Sequence, residues 1–242
     1  MSVFVAEELS EVLNTKVVIG RINMGLLNRI IIDDVLLDDQ SGQEMLKVTR
    51  LSAKFDIMPF FKGKISISSV QLFGFNINLR KETPDSPPNF KFVLDAFASK
   101  DTVKKENSLD LRINSILIRR GRMSYHVLSE EETPGKFNAK HIQLQNIIAN
   151  ISLKALSKDS LNLGIKRLSL DEKASGFSLK KMSLKLVANN KQTNIDNFTI
   201  ELPETSLKLD TIHLEYDSLK AFDRFTEPVS YTHLRAHETA AN

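Results

Sequence analysis

The chain repeats one eight-residue arrangement of apolar and polar positions. In residues 65–72, apolar side chains occupy positions 65, 67, 70 and 72, and two serines separate the two apolar pairs. With φ for an apolar residue, the arrangement is φ-x-φ-x-x-φ-x-φ. It recurs at 17–24, 30–37, 46–53, 111–118, 142–149, 163–170, 177–184 and 207–214, with a weaker copy at 193–200. In every full copy the two central positions are polar or glycine.

This arrangement predicts β-strands with an irregularity at mid-length. Alternation with a period of two puts one face of a strand on an apolar side and the other face in water. The extra polar residue would turn the second apolar pair to the wrong face unless it forms a β-bulge, which adds one residue and bends the strand. A second interpretation is that each unit is two short strands around a turn. Both interpretations make the chain rich in β-structure.

The repeat and its turns define the order of elements. We expect an amino-terminal helix within residues 1–15, a repetitive β-region at 16–228, and a tail at 229–242. Strands are predicted at 16–24, 29–38, 44–57, 64–80, 109–127, 137–156, 160–170, 175–188, 193–202 and 205–217, mostly as a meander. A short helix is predicted near 89–99, with Asn89 as its N-cap. The expected fold is a mainly β, curved antiparallel sheet.

Two stretches echo each other over a longer distance. Residues 67–72 are followed by Gly74, and the similar residues 113–118 are followed by Gly121, one residue later. Repetition of a unit that cannot bury its own apolar face is typical of quasi-one-dimensional arrays. Gly74 lies inside a predicted strand, which indicates a bulge there.

Composition narrows the functional classes. The 242 residues carry a formal net charge of +3 with both signs well mixed, which argues against a dedicated nucleic-acid surface. There is no cysteine, so disulfide and thiol chemistry are excluded. No run approaches the roughly 20 apolar residues that a membrane-spanning helix needs.

The sequence contains no recognisable active site, and we expect neither an enzyme nor a bound cofactor or metal. His126, His141 and His213 lack the spacing of a zinc site or a catalytic triad, so each is interpreted as an ordinary strand or loop residue. Asp33 and Asp34 are adjacent on a strand and point to opposite faces, so they cannot easily share a ligand.

Residues 14 to about 216 resemble the amino-terminal part of the TamB family, within the wider AsmA-like group. The resembling stretches are 14–22, 32–39, 51–75, 89–95 and 109–115, and the last two are similar to the Bacteroidetes form. The resemblance implies a cell-envelope protein that crosses the periplasm as an elongated β-groove, or β-taco. It also implies an inner-membrane anchor, phospholipid transport between the two membranes, and support of outer-membrane protein translocation and assembly through a partner of the Omp85 type.

Both ends depart from that family. The anchoring span is absent before Met1, and the carboxy-terminal region that would meet the outer membrane and its assembly partner is absent too. We therefore expect an internal fragment. Residues 229–234 resemble a translated sequencing-library adapter, so the tail at 229–242 is expected to be non-native.

Nine or ten strands, each with about four apolar residues on one face, cannot leave that face in water. Either phospholipid acyl chains fill it, or the sheet closes as a β-sandwich or solenoid and serves as a structural spacer or protein-binding module. For the lipid-filled case, the candidate groove-lining residues are Ile65, Ile67, Val70, Leu72, Phe75, Ile77, Leu111, Ile113, Ile116 and Ile118.

Overall fold

The computed structural model describes residues 2–26, 28–55, 67–98, 114–156 and 160–216. Within these residues the helices are α1 (Ser2–Leu13) and α2 (Lys91–Ala98). The strands are β1 (Val17–Gly25), β2 (Arg29–Asp38), β3 (Glu44–Phe55), β4 (Ile67–Lys81), β5 (Ser115–Val127), β6 (His141–Leu156), β7 (Ser160–Glu172), β8 (Ser178–Asn189), β9 (Gln192–Glu201) and β10 (Ser206–Glu215).

The mainly β fold predicted from the repeat is confirmed. Each predicted strand and both predicted helices are present, with boundaries that differ by a few residues. The strands run without interruption through the central polar pairs, as β2 does through Asp33 and Asp34. The interpretation of each unit as two short strands around a turn is therefore wrong for these strands. The predicted tail at 229–242 lies outside the described residues.

The ten strands form one sheet in their order along the chain, and the sheet is not closed. The expectation of a wholly antiparallel sheet is wrong at β4 and β5. The amide of Leu128 donates to the carbonyl of Lys81, and the amide of Ser129 donates to the carbonyl of Glu82, so the two strands run in the same direction. Parallel neighbours need a long crossover, and the connection that contains α2 provides it.

Contacts group the chain into two compact units. The first unit takes in α1, β1 to β4, α2, nearly all of β5, the first half of β6 and the end of β7. The second takes in the remainder of β6 and β7 together with β8, β9 and β10. In the first unit, the core is built on β3, β4 and β6; in the described part of the second, Ala149 and Leu179 are the buried apolar side chains.

Helix α1 ends in a left-handed residue and packs beside β1. Asn14 has φ of 48°, and the amides of Thr15 and Asn14 donate to the carbonyls of Ser10 and Glu11, which satisfies the end of the helix. The hydroxyl of Ser10 accepts a hydrogen bond from the amide of Val17. The side of α1 that carries Ser10 therefore meets the first strand.

The predicted N-cap of α2 is wrong. The side-chain oxygen of Asn89 accepts a hydrogen bond from the amide of Arg80, and its amide group donates to Asp39 at 3.0 Å. Asp39 also pairs with Arg80 at 2.6 Å and accepts hydrogen bonds from Ser41 in the turn between β2 and β3. Asn89 thus joins this turn to β4: its side-chain oxygen, which an N-cap would use, is taken by the amide of Arg80, and its NH₂ group binds the carboxylate of Asp39.

Candidate functional site

Apolar side chains of β1 to β4 form four rows that cross the strands. From β1 to β4 the rows are Val17, Leu37, Leu46 and Ile77; Ile19, Val35, Val48 and Phe75; Ile22, Ile32, Leu51 and Leu72; and Met24, Ile30, Ala53 and Val70. All members from β1 to β3 are apolar positions of the eight-residue repeat. The repeat therefore encodes one apolar face in register across these strands.

Each of these strands has one extra residue between the second row and the third. The extra residues are Gly20, Asp34, Thr49 and Gly74; they lie opposite one another at one level of the sheet, but they are not among the paired positions of the strands. Asp34 has φ of 56° and Gly74 has φ of 64°, both in the left-handed region. The extra residue returns the second apolar pair to the face of the first. Because adjacent strands carry the extra residue at the same level, their register is unchanged across it.

Register shifts of the kind expected for one-sided bulges occur at other positions. The register between β3 and β4 shifts between Lys54 and Phe55, opposite the predicted irregularity at Ser68. The register between β8 and β9 shifts between Ser183 and Lys185, opposite Asn197, which has φ of 51°. The predicted irregularities are therefore present in two forms: extra residues that lie opposite one another in neighbouring strands, and bulges in which only one of two paired strands has the extra residue.

The two glycines of the long-range echo have different functions. Asn78 and Ser124 contact each other across β4 and β5 at a separation of 46 residues. The same separation puts Arg120, with φ of 55°, at the level of Gly74, and it puts Gly121 beside Phe75. Arg120 is therefore the left-handed residue of β5, which explains why the second copy is one residue longer before its glycine.

Gly121 makes room for an aromatic ring at the centre of the apolar face. A Cβ atom on Gly121 would lie 2.3 Å from Cε1 of Phe75 and 3.0 Å from Cβ of Ile147. The ring of Phe75 therefore occupies the space above β5 and forms the core cluster with Val48 and Ile147. The half-buried apolar residues packed against this cluster are Val35, Leu46, Leu51, Leu72, Ile77, Ile118, Met123, Leu144 and Leu170.

The apolar face is incompletely covered. Among the described residues, no large side chain is less than 2% exposed, and Phe75 retains 7%. At the β1 end of the fourth row, Met24 is 76% exposed. Large aliphatic and aromatic side chains in a two-layer core are commonly buried almost completely. The described part of the sheet thus has an apolar face without a complete second layer.

The structure brings together four of the predicted groove-lining residues. Leu72, Phe75, Ile77 and Ile118 all belong to, or pack against, the core cluster. Val70 and Ile116 are half-buried. Ile67 begins β4 opposite Phe55, and its side chain is not described. Ile65, Leu111 and Ile113 lie outside the described residues. Sequence reasoning did not single out Val48 or Ile147, although both occupy repeat positions, and it noted Gly121 without assigning it a place in the core.

The opposite face of the sheet carries charge at the level of Asp33. This carboxylate accepts hydrogen bonds from Arg50, with Nε at 2.6 Å, and lies 3.7 Å from the guanidinium of Arg21. The hydrogen bond from Arg50 outweighs burial and, with the attraction of both arginines, lowers the pKa of Asp33. A cavity of about 700 Å³ opens here, and Arg119 and Phe73 also line it. The carboxylate of Asp33 is therefore engaged by the arginines of the two neighbouring strands.

Two of the three histidines interpreted as isolated are in contact. The Nδ1 atoms of His126 and His141 lie 3.0 Å apart, and Glu132 is close to both. The expectation that these two histidines are isolated is therefore wrong. His126 is the last but one residue of β5 and His141 is the first residue of β6, and this placement on either side of one loop is the sequence signal that could have revealed the contact. His213 instead contacts Asn194 and Glu215.

Comparisons with protein-family models and with curated proteins found no match to this chain. Neither described helix has the length and apolar content required to cross a membrane.

Proposed function

We propose that this chain is a lipid-holding module of the cell envelope, in which the apolar rows of the sheet bind phospholipid acyl chains. One observation carries the proposal: apolar rows cross β1 to β4 in register, yet most of the side chains in these rows are only partly buried, and Met24 is exposed. Exposed apolar surfaces larger than a few hundred Å² are rare in soluble monomers and usually mark a binding site.

Acyl chains match the chemistry of this face. An acyl chain has no hydrogen-bonding groups, so it needs neither donors nor acceptors from the protein. The rows offer aliphatic side chains such as Leu51, Leu72 and Ile77, and each buried CH₂ group contributes about 0.8 kcal/mol to binding. The absence of a polar binding motif in the sequence agrees with a ligand recognised through its apolar part.

The proposed setting follows from the resemblance of the sequence to TamB proteins. In that setting the module is part of a longer periplasmic protein anchored in the inner membrane, and it carries phospholipid between the inner and outer membranes. Regions beyond this chain would contact the inner membrane and an outer-membrane assembly protein of the Omp85 type. The module would thereby support outer-membrane protein translocation and assembly.

Native mass spectrometry of the chain purified from bacterial cells without detergent tests the proposal. We expect phospholipid to remain bound to the wild-type protein. Val70→Glu and Ile77→Glu place a carboxylate on the apolar face, and each should reduce the lipid-bound fraction strongly, because an unpaired charge beside an acyl chain is costly.

Matched controls place the same charge on the other face of β4. Gln71→Glu and Asn76→Glu alter the neighbouring positions, which alternate with Val70 and Ile77 along the strand, and should leave lipid binding unchanged. Circular dichroism should confirm that all four variants remain folded. A folded wild-type chain without lipid would contradict the proposal and favour a structural spacer or protein-binding module. Equal lipid loss in variants and controls would exclude the apolar face as the binding site.

A further inference from the structure

Three potential metal ligands converge where the loop between β5 and β6 begins and ends. His126 lies near the end of β5, Glu132 lies in the loop, and His141 begins β6. One ligand atom from each residue lies within 4.8 Å of the other two. The Nδ1 atoms of the histidines are 3.0 Å apart, and Oε1 of Glu132 is 3.8 Å from the first and 4.0 Å from the second.

A hydrogen bond to the backbone orients the more buried histidine. Nε2 of His141 lies 2.9 Å from the carbonyl oxygen of Glu130, and a carbonyl oxygen can only accept. Nε2 therefore carries the hydrogen, and the neutral ring directs the lone pair of Nδ1 toward His126 and Glu132. A metal-binding histidine commonly donates its second ring nitrogen to a carbonyl in this way, which fixes its tautomer.

The two histidine side chains are largely buried and held in place, whereas the side chain of Glu132 is exposed and free to move. The side chain of His141 is 8% exposed and that of His126 is 24% exposed, whereas that of Glu132 is 62% exposed. In a tetrahedral zinc site with bond lengths of about 2.0–2.1 Å, ligand atoms lie roughly 3.3 Å apart. The two nitrogens are already close to that separation, and the exposed carboxylate can approach by rotation of its own side chain.

We propose that His126, Glu132 and His141 form a binding site for a divalent transition-metal ion of the zinc type. Two imidazoles and one carboxylate are a donor set that zinc accepts, and three protein ligands leave a fourth position for water or another group. The ion would connect β5, the loop and β6, so that the loop is fixed at both ends and at Glu132. This site is independent of the proposed lipid-binding face.

Titration of the metal-free full chain with zinc chloride against a chromophoric chelator tests the site. His233 and His237 are replaced by glutamine in every sample, because histidines of the carboxy-terminal region could bind zinc themselves. We expect one zinc ion per chain and a rise in the midpoint of thermal unfolding when zinc is present. Titration with cobalt(II) should give the visible absorption of a four-coordinate ion.

Glu132→Gln is the decisive variant, because the exposed side chain can change while both histidines and their hydrogen bonds remain. It should weaken zinc binding by about tenfold or more and reduce the thermal shift accordingly. His126→Gln should abolish binding, and His213→Gln serves as the control with unchanged affinity. Binding of one zinc ion per chain with unchanged affinity in both the His126→Gln variant and the Glu132→Gln variant would overturn the proposal. An absence of zinc binding to the starting protein would overturn it too.

Discussion

Replacement of Glu172 by glutamine should destabilise the protein strongly at neutral pH. The carboxylate lies at the end of β7, is 2% exposed, and accepts hydrogen bonds from the amides of Gln143 and Ala174 and from the amide and hydroxyl of Ser175. In Glu172→Gln, the side-chain NH₂ group would face the amide of Ser175, so two donors would meet. The variant thus removes a charge and breaks the hydrogen bonds from Ser175, while the remaining side-chain oxygen still faces the amides of Gln143 and Ala174.

The magnitude follows from the pKa. Burial alone would raise the pKa of Glu172, but the hydrogen bonds from Ser175, Ala174 and Gln143 outweigh burial and lower the pKa from 4.5 to about 2. Because the folded-state pKa is depressed, the stabilisation is complete above the unfolded-state value and is lost as the pH falls toward 2. It amounts to about 3 kcal/mol at neutral pH and about half of that near pH 3.

Urea unfolding followed by circular dichroism measures this effect in wild type and variant at both pH values. We expect Glu172→Gln to lower the free energy of unfolding by about 3 kcal/mol at pH 7 and by about half as much near pH 3. Glu204→Gln removes the same charge from an exposed position and should change it by less than about 0.5 kcal/mol. An equal loss for Glu172→Gln at both pH values would refute the electrostatic reasoning.

Three further predictions concern the residues with positive φ and the packing of the core. Gly121→Ala should cost about 1–3 kcal/mol in urea unfolding because its Cβ would strike Phe75, and Phe75→Leu in the same chain should recover part of that loss. Gly74→Ala should cost about 1–2 kcal/mol because of its positive φ, and its Cβ would also lie 2.7 Å from Oγ1 of Thr49. Asn197→Val should cost about 1–2 kcal/mol, whereas Asn197→Gly should be nearly neutral; equal effects would contradict a left-handed bulge there.

The strands could be predicted from the sequence because each carries its own local signal. A copy of the repeat in β2 or β3 specifies its apolar face without reference to any other strand, and the pairing of Val35 with Val48 then follows from two neighbouring copies in register. The direction of β5 could not be predicted, because the repeat reads as φ-x-φ-x-x-φ-x-φ in both directions. Strand direction depends on the crossover that follows β4, and the helical signal within it does not specify at which end of β4 the chain returns.

The contacts that define individual sites were harder to predict from the sequence than the strands. The repeat does not distinguish a glycine with positive φ, such as Gly74, from one that accommodates a ring, such as Gly121. That difference depends on the neighbouring strand. The contact between His126 and His141 depends in the same way on the register across a loop: the amide of Val127 donates to the carbonyl of Lys140, which places the two histidines next to that pair. A boundary error of a few residues at the start of β6 conceals it.

The consecutive strand order has a consequence for how proteins of this kind can change in size. In β1 to β4, every strand pairs with its neighbours in the chain, and each apolar row crosses the strands one residue per strand. Insertion of one more hairpin with the same eight-residue unit would lengthen all four rows by two side chains and replace only the pairing at the point of insertion. Duplication of short gene segments can therefore adjust the number of strands while the rows stay aligned.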